Sequence, residues 1–225
     1  MYAKCFKRVI DFIMSLCAII ILSPLLIVLA IIGAIEMKGN PFFTQQRPGL
    51  YEKTFNLIKF RTMTNEKDSV GKQLPDEDRF VPYGKFLRSS SLDELPELIN
   101  ILKGDMSIVG PRPLLVSYLP FYTETERHRH DVRPGLTGLA QINGRSFITW
   151  DEIFSHDIAY VKNVCLINDI YIVLSSVKKV LEHKDIADVH SVVQSEDGQL
   201  YVLVNNQRLR LHQPLNVERR DRLAK

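Results

Sequence analysis

The sequence predicts an α+β fold, mostly helical, with a membrane-seeking N-terminus, and three observations predict it. Val9 to Ile35 is an almost unbroken apolar run. Later segments repeat apolar residues at helical spacing, Leu95, Leu98, Ile99 and Leu102 most clearly. KTFNLIKFRTM, from Lys53 to Met63, alternates as a short strand or two would. At 225 residues and 45% apolar content the chain can build one sizeable core. The expected division is a membrane segment over 1–38, a main domain over 39–185 and a C-terminal extension over 186–225. A net charge of +3, with no basic cluster interleaved with aromatics, argues against nucleic acid as a partner. Cys5, Cys17 and Cys165 are odd in number and lack metal-ligand spacing, which fits a structural role in a reducing compartment. No repeat or low-complexity segment is present.

The apolar run follows Lys4, Lys7 and Arg8 and precedes Glu36 and Lys38. It outlasts the apolar region of a cleaved signal peptide and lacks a matching cleavage site. A straight helix over it would be about 40 Å long, enough for a hydrocarbon core of about 30 Å. Ser23-Pro24 at its centre complicates that reading. Proline removes a donor and crowds the preceding turn, so a break there would leave arms of about 21 and 16 Å, neither able to cross alone. A bent helix that enters and leaves by one face would keep the flanking lysines on one side and Asp11 at headgroup depth. Spanning helices tolerate proline as well, so the residues alone leave span and re-entrant hairpin both open.

Beyond Gly39-Asn40-Pro41 the pattern becomes globular. Arg47 precedes a Pro-Gly turn signal, and residues 65–78 are polar and read as a loop. YGKFLRSS gives a short helix ending in Arg88; a helix over Leu95–Leu102 stops at Gly104, and MSIVG is a brief strand or turn. Helix is expected after Pro120, followed by a glycine-punctuated loop through RPGLTGLAQINGR. Two more helices are expected near 150–164 and 170–181. The second reads first as an ordinary core helix whose Lys178 and Lys179 suit its negative end, and otherwise as a helix lying in a membrane surface. In the tail, QLYVLVNNQRLRLHQP alternates around Asn205-Asn206, a hairpin signal, before a basic end.

The chemistry concentrates between Ser89 and Pro113, SSSLDELPELINILKGDMSIVGPRP. Ser91-Leu92-Asp93-Glu94 matches a capping box, but Pro96 would then fall inside the helix where its ring is costly. If the helix begins at Pro96 instead, the two acids lie just ahead of a positive helix end. Arg112 stands between two prolines, which hold its backbone extended and leave a preorganised guanidinium suited to phosphate; otherwise it braces a loop against a surface acid. Lys59, Arg88 and Arg145 are further candidate phosphate ligands. Adjacent carboxylates, phosphate-binding cations and a membrane anchor point to phosphoryl chemistry on a partly lipid substrate. A carboxylate can act as nucleophile toward phosphorus, and Mg²⁺ held by carboxylates and phosphate oxygens is the usual counter-charge.

KRVIDFIMSL with SPLL, FTQQRPG, FNLIKFRTM, RSSSLDELPELINILKGDMSIVGPRPLL and HRHDVRPGLTGLAQINGR together resemble the small monotopic phosphoglycosyl transferases. These are bacterial sugar transferases that start glycoconjugate assembly on a polyprenol carrier. The resemblance runs from Lys7 to Leu181 and is strongest to minimal members of N-linked glycosylation pathways. It implies that Asp93 attacks the β-phosphate of a UDP-sugar and releases UMP, with Glu94 orienting or acting as base and Mg²⁺ at Asp93. Polyprenol (undecaprenyl) phosphate would then take the phosphosugar. It implies Arg112 as phosphate holder and Lys59, Arg88, Arg145 and Asp157 as lining. The donor would be an N-acetylated and deoxygenated UDP-sugar. The resemblance also implies that Ser23-Pro24 makes 1–38 a re-entrant hairpin in the bacterial inner membrane, with catalysis on the cytoplasmic face. The tail is unaccounted for and would concern a partner such as a downstream glycosyltransferase, or self-association. A phosphatase using the same aspartate and a non-enzymatic membrane scaffold are the competing readings.

Overall fold

The computed structural model describes residues 2–144, 148–181 and three tail segments, 192–194, 200–204 and 207–210. After a π-helical turn over Tyr2–Phe6, helix α1 runs from Lys7 to Glu36 without interruption at Ser23-Pro24. The two separate arms expected are therefore one element, and the residue beside the proline explains why. Pro24 cannot donate to the Ile20 carbonyl one turn back, but the Ser23 hydroxyl donates to that carbonyl at 2.8 Å. No backbone acceptor is left bare where water is scarce.

α1 rests on the remainder of the chain along a single stripe. Lys7, Asp11, Ser15, Leu29 and Gly33 are buried, and Ala18, Ile19, Leu22, Leu26 and Ala30 pack against core clusters. The opposite face exposes Val9, Phe12, Ile13, Ile20, Ile27, Ile31 and Ile35. Asp11 does not sit at headgroup depth: it is 4% exposed and accepts from the Ser107 hydroxyl at 2.7 Å and the Ile108 N–H at 3.1 Å. Near the other end Tyr83 donates to the Leu29 carbonyl at 2.7 Å. A side chain at Gly33 would collide with that tyrosine, so close approach requires glycine here. Both ends of the apolar helix are thus tied to one domain.

Strands β1 (Phe42–Pro48) and β2 (Thr54–Phe60) form an antiparallel hairpin. Helices α2 (Asp76–Arg79) and α3 (Pro82–Ser90) follow the polar loop, then a 3₁₀ turn over Leu92–Glu94 and helix α4 (Glu97–Lys103). β3 (Ser107–Val109) pairs in parallel with β4 (Gly135–Thr137). That second strand was hidden in the glycine-rich loop. The helix expected after Pro120 is instead a 3₁₀ turn over Val116–Phe121, the single helical turn α5 (Glu124–Arg127) and another 3₁₀ turn. α6 (Leu139–Ile142), α7 (Trp150–Lys162) and α8 (Leu166–Leu181) complete the domain. α8 is not an ordinary core helix: Ile172 is buried, while Ile167, Ile170, Tyr171, Leu174 and Val177 are exposed along one face, as expected of a helix lying in a membrane surface. In the tail, β5 (Val192–Gln194), β6 (Leu200–Val204) and β7 (Gln207–Arg210) form one antiparallel sheet, and β6 pairs with β7 across the Asn205-Asn206 position.

Candidate active site

The acid pair is placed by its neighbours. Ser91 ends α3 in a left-handed conformation, φ 57°, and its side chain makes no cap bond, so the capping-box reading fails. Pro96 is the N-cap of α4, as in the alternative, and Leu95 N–H donates to the Leu92 carbonyl at 3.3 Å in a 3₁₀ turn. Helix α4 is fixed at both faces. Arg8 of α1 donates to the Ile101 and Leu102 carbonyls at 2.6 and 2.8 Å, satisfying the helix end. The fully buried Asn100 donates to the Asn56 carbonyl at 2.8 Å and accepts from Ile58 N–H at 3.0 Å. That clamp locks α4 to β2 and sets Lys59, the next residue, beside the acids.

Lys59 reaches Glu94 at 2.7 Å and Glu97 at 3.2 Å, and Arg112 reaches the same Glu94 oxygen at 2.7 Å. Burial alone would raise Glu94, but Arg112 and Lys59 together hold its carboxyl well below the usual range. Asp93 behaves oppositely. Burial and the Glu94 charge push its carboxyl up from 3.8 to about 6, against the pull of Lys59, Arg88 and Arg112. Glu94 is thus a fixed anion shared by two cations, while Asp93 sits partly exposed and ungripped, ionised at neutral pH yet less stabilised than an ordinary carboxylate. Glu97, which sequence reading passed over as a helix position, is 3% exposed, and burial beside Glu94 raises it to about 7. Its place on the first turn after Pro96, four residues from Asp93, was the available signal.

Arg88 stacks on Phe80, 4.5 Å from the ring centroid, and donates to the Thr62 hydroxyl at 3.1 Å. Arg112 is 45% exposed, open to a ligand as well as to Glu94. Its loop is threaded through a tight crossing where β3 meets β4. Any side chain at Gly110 or Gly135 would run into the facing backbone. The Arg112 carbonyl accepts from Arg129 at 2.8 Å. Arg129, a residue the sequence did not single out, is 2% exposed and pairs with Asp157 at 2.7 Å. Asp157 is equally buried, so it does not line the site; it neutralises the arginine that holds the Pro-Arg-Pro loop. A further missed residue is Arg47. Its Nε is buried without a partner, its only printed bond runs to neutral Gln45 at 2.7 Å, and burial followed by Arg112's charge lowers its pKa. Arg145 lies outside the described residues.

Among the described residues no group of three or more acidic, histidine or cysteine side chains forms a metal cage. Glu94 is spoken for by Lys59 and Arg112, and Glu97 by Lys59, which leaves Asp93 as the carboxylate able to meet a cation. A single carboxylate suits Mg²⁺ that arrives with phosphate oxygens.

Comparison with known proteins agrees with this chemistry. The chain is 51% identical over 168 residues to the uncharacterized sugar transferase EpsL of Bacillus subtilis (strain 168), covering 74% of this chain and 83% of that protein. It is 38% identical over 193 residues to the undecaprenyl-phosphate galactose phosphotransferase of Salmonella typhimurium (strain LT2), covering 78% and 40% of the two chains. Over 184 residues it is 39% identical to the UDP-glucose:undecaprenyl-phosphate glucose-1-phosphate transferase of Klebsiella pneumoniae, covering 77% and 40%. This chain therefore spans less than half the length of those last two proteins. Residues 2–183, from the turn ahead of α1 to just past α8, match a family described as bacterial sugar transferase, and to that family the chain belongs.

Proposed function

We propose that this protein transfers a sugar 1-phosphate from a UDP-sugar to undecaprenyl phosphate, through a phosphosugar ester on Asp93. The observation that carries the reading is the division of labour in the acid pair: Glu94 locked between Lys59 and Arg112, Asp93 partly exposed with its carboxyl raised to about 6. A raised pKa means a more basic carboxylate, a better nucleophile toward phosphorus. Its oxygen bonds the β-phosphorus, the bond to the bridging oxygen breaks, and that electron pair leaves with UMP. An oxygen of the lipid phosphate then attacks the same phosphorus and frees the carboxylate. The acceptor is already an anion, so no base is needed, and Glu94 acts by orienting Lys59 and Arg112. Arg112 and Arg47, whose adjacent charges lack an equal number of free anions, would grip the diphosphate, and Arg88 tempers Asp93. Mg²⁺, held by Asp93 and the diphosphate, would offset phosphate charge.

The names of the relatives, which speak of undecaprenyl phosphate with galactose or glucose, support this acceptor and leave the sugar open. α1 would be re-entrant in the bacterial inner membrane, its exposed face in lipid and the domain on the cytoplasmic side. Cysteines placed at residue 2 and within 65–78, in a background lacking the native cysteines, should then react with an impermeant thiol probe from the cytoplasmic side alone. For the reaction, the purified protein is mixed with Mg²⁺ and UDP-glucose, UDP-galactose or UDP-N-acetylated amino sugars, with and without polyprenyl phosphate. Lipid-dependent UMP from one donor is expected. Sustained UMP without lipid would make the protein a hydrolase, and no UMP from any donor would refute the reading.

A further inference from the structure

A cleft of about 590 Å³ lies between the Leu92–Glu94 turn, the β4–α6 segment and α8, within the size range of sites for small ligands. Its walls are chiefly apolar: Leu92, Leu95, Leu136, Ile142, Val173 and Val177. Most of its polar side chains are occupied by one another or by backbone. The Thr137 and Ser176 hydroxyls meet at 2.5 Å, Ser176 donates to the Ile172 carbonyl at 2.7 Å, and the Gln141 amide donates to the Leu136 carbonyl at 3.0 Å. Such walls offer little to a nucleotide, whose base and ribose need partners for their polar groups. They suit a hydrocarbon.

The two ends of the cleft decide what kind. Glu94 and Arg112 form one end, so the cleft opens directly into the candidate active site. Val177 forms part of the other and is 53% exposed, on the outward apolar face that also carries Ile170, Tyr171 and Leu174. An occupant must therefore be apolar along its length, carry an anion at the Arg112 end and emerge at a lipid-facing surface. We propose that this cleft seats the phosphate-proximal isoprenoid units of a polyprenyl phosphate, which passes from the bilayer along α8 to Asp93. The proposal rests on the reading of the acceptor given above, and it assigns that acceptor a route separate from the helix α1.

The test uses the full-length protein in nanodiscs and a polyprenyl phosphate carrying a diazirine in its first isoprene units. Crosslinks are expected within 166–181 and 134–142, competed by unlabelled polyprenyl phosphate but not by farnesol, which lacks the phosphate. Crosslinks confined to α1, or competed equally by farnesol, would overturn the proposal. This readout needs no turnover, so it stands apart from the activity assay: absence of UMP release would sink the reaction while leaving the cleft to be judged by its crosslinks. In an active preparation, Val177→Asp at the exposed mouth should raise the acceptor's KM by about tenfold and shift the donor's by less than about twofold, because a charge is set in the lipid's path alone. Equal effects on both substrates would overturn the assignment, as would an unchanged acceptor KM. Ser176→Phe, which fills the cleft, should reduce crosslinking in the same preparation.

Discussion

Replacing Asp93 by asparagine should abolish turnover and at the same time make the protein more stable at neutral pH. The carboxyl of Asp93 rises from 3.8 to about 6 on folding, through burial first and Glu94 second. Between those two pH values the folded state holds a proton that the unfolded chain has lost, so stability falls as pH rises through that window. Above pH 6 the folded protein carries the full cost of an ionised Asp93. One pKa unit corresponds to about 1.4 kcal/mol, and allowing for solvent around a partly exposed group leaves about 1–3 kcal/mol. Asp93→Asn keeps the shape and removes that cost, a gain in Tm of about 2–10 °C for a domain of this size. The assay is thermal unfolding of wild type and variant in one detergent at pH 4, 5, 6 and 7, beside UMP release. The difference should be near zero at pH 4 and full at pH 7. A variant less stable at pH 7, or a difference independent of pH, would refute the assignment of Asp93 as a strained anion.

Three further outcomes follow from the same contacts. Because only ionised Asp93 attacks, single-turnover UMP release should rise as pH passes about 6; Glu94→Gln removes the neighbouring charge, so the acid limb should move to lower pH while the plateau falls. An unmoved limb would assign that titration to another group. Arg129→Met strands buried Asp157 and should cost about 3–5 kcal/mol in urea unfolding, whereas Arg129→Met with Asp157→Leu should recover most of it; equal losses in both would show that packing, not charge, holds the Pro-Arg-Pro loop. Ser23→Ala bares the Ile20 carbonyl and should lower stability in lipid by about 1–3 kcal/mol, but much less when Pro24→Ala restores the backbone donor; additive effects would dissociate the serine from the proline.

Much of the site was legible because its members were close in sequence or chemically marked. Asp93-Glu94 and Pro111-Arg112-Pro113 announce themselves by type and spacing, and Lys59 and Arg88 could be proposed as cations in flanking elements. Legibility ended where a residue's role depends on distant partners. Asp157 looked like a ligand because it is an acid; its partner Arg129 stands 28 residues away in sequence and turns it inward. Glu97 was passed over because helical spacing explains it fully until Lys59, brought in by the Asn100 clamp, is seen beside it. Arg47 carried no mark other than its turn.

The sequence by itself determined the mostly helical α+β class, the apolar N-terminal helix, the start of α4 at Pro96 once the capping box is set aside, and the hairpin-forming tail strands. These follow from periodicity, proline and turn chemistry, which act over a few residues. Only the tertiary structure decided that Ser23 lets α1 continue through Pro24, that α8 turns an apolar face outward, and that two neighbouring carboxylates differ so widely in acidity. Those properties depend on which charges, carbonyls and walls lie within a few ångströms, and that is set by packing between segments far apart in the chain.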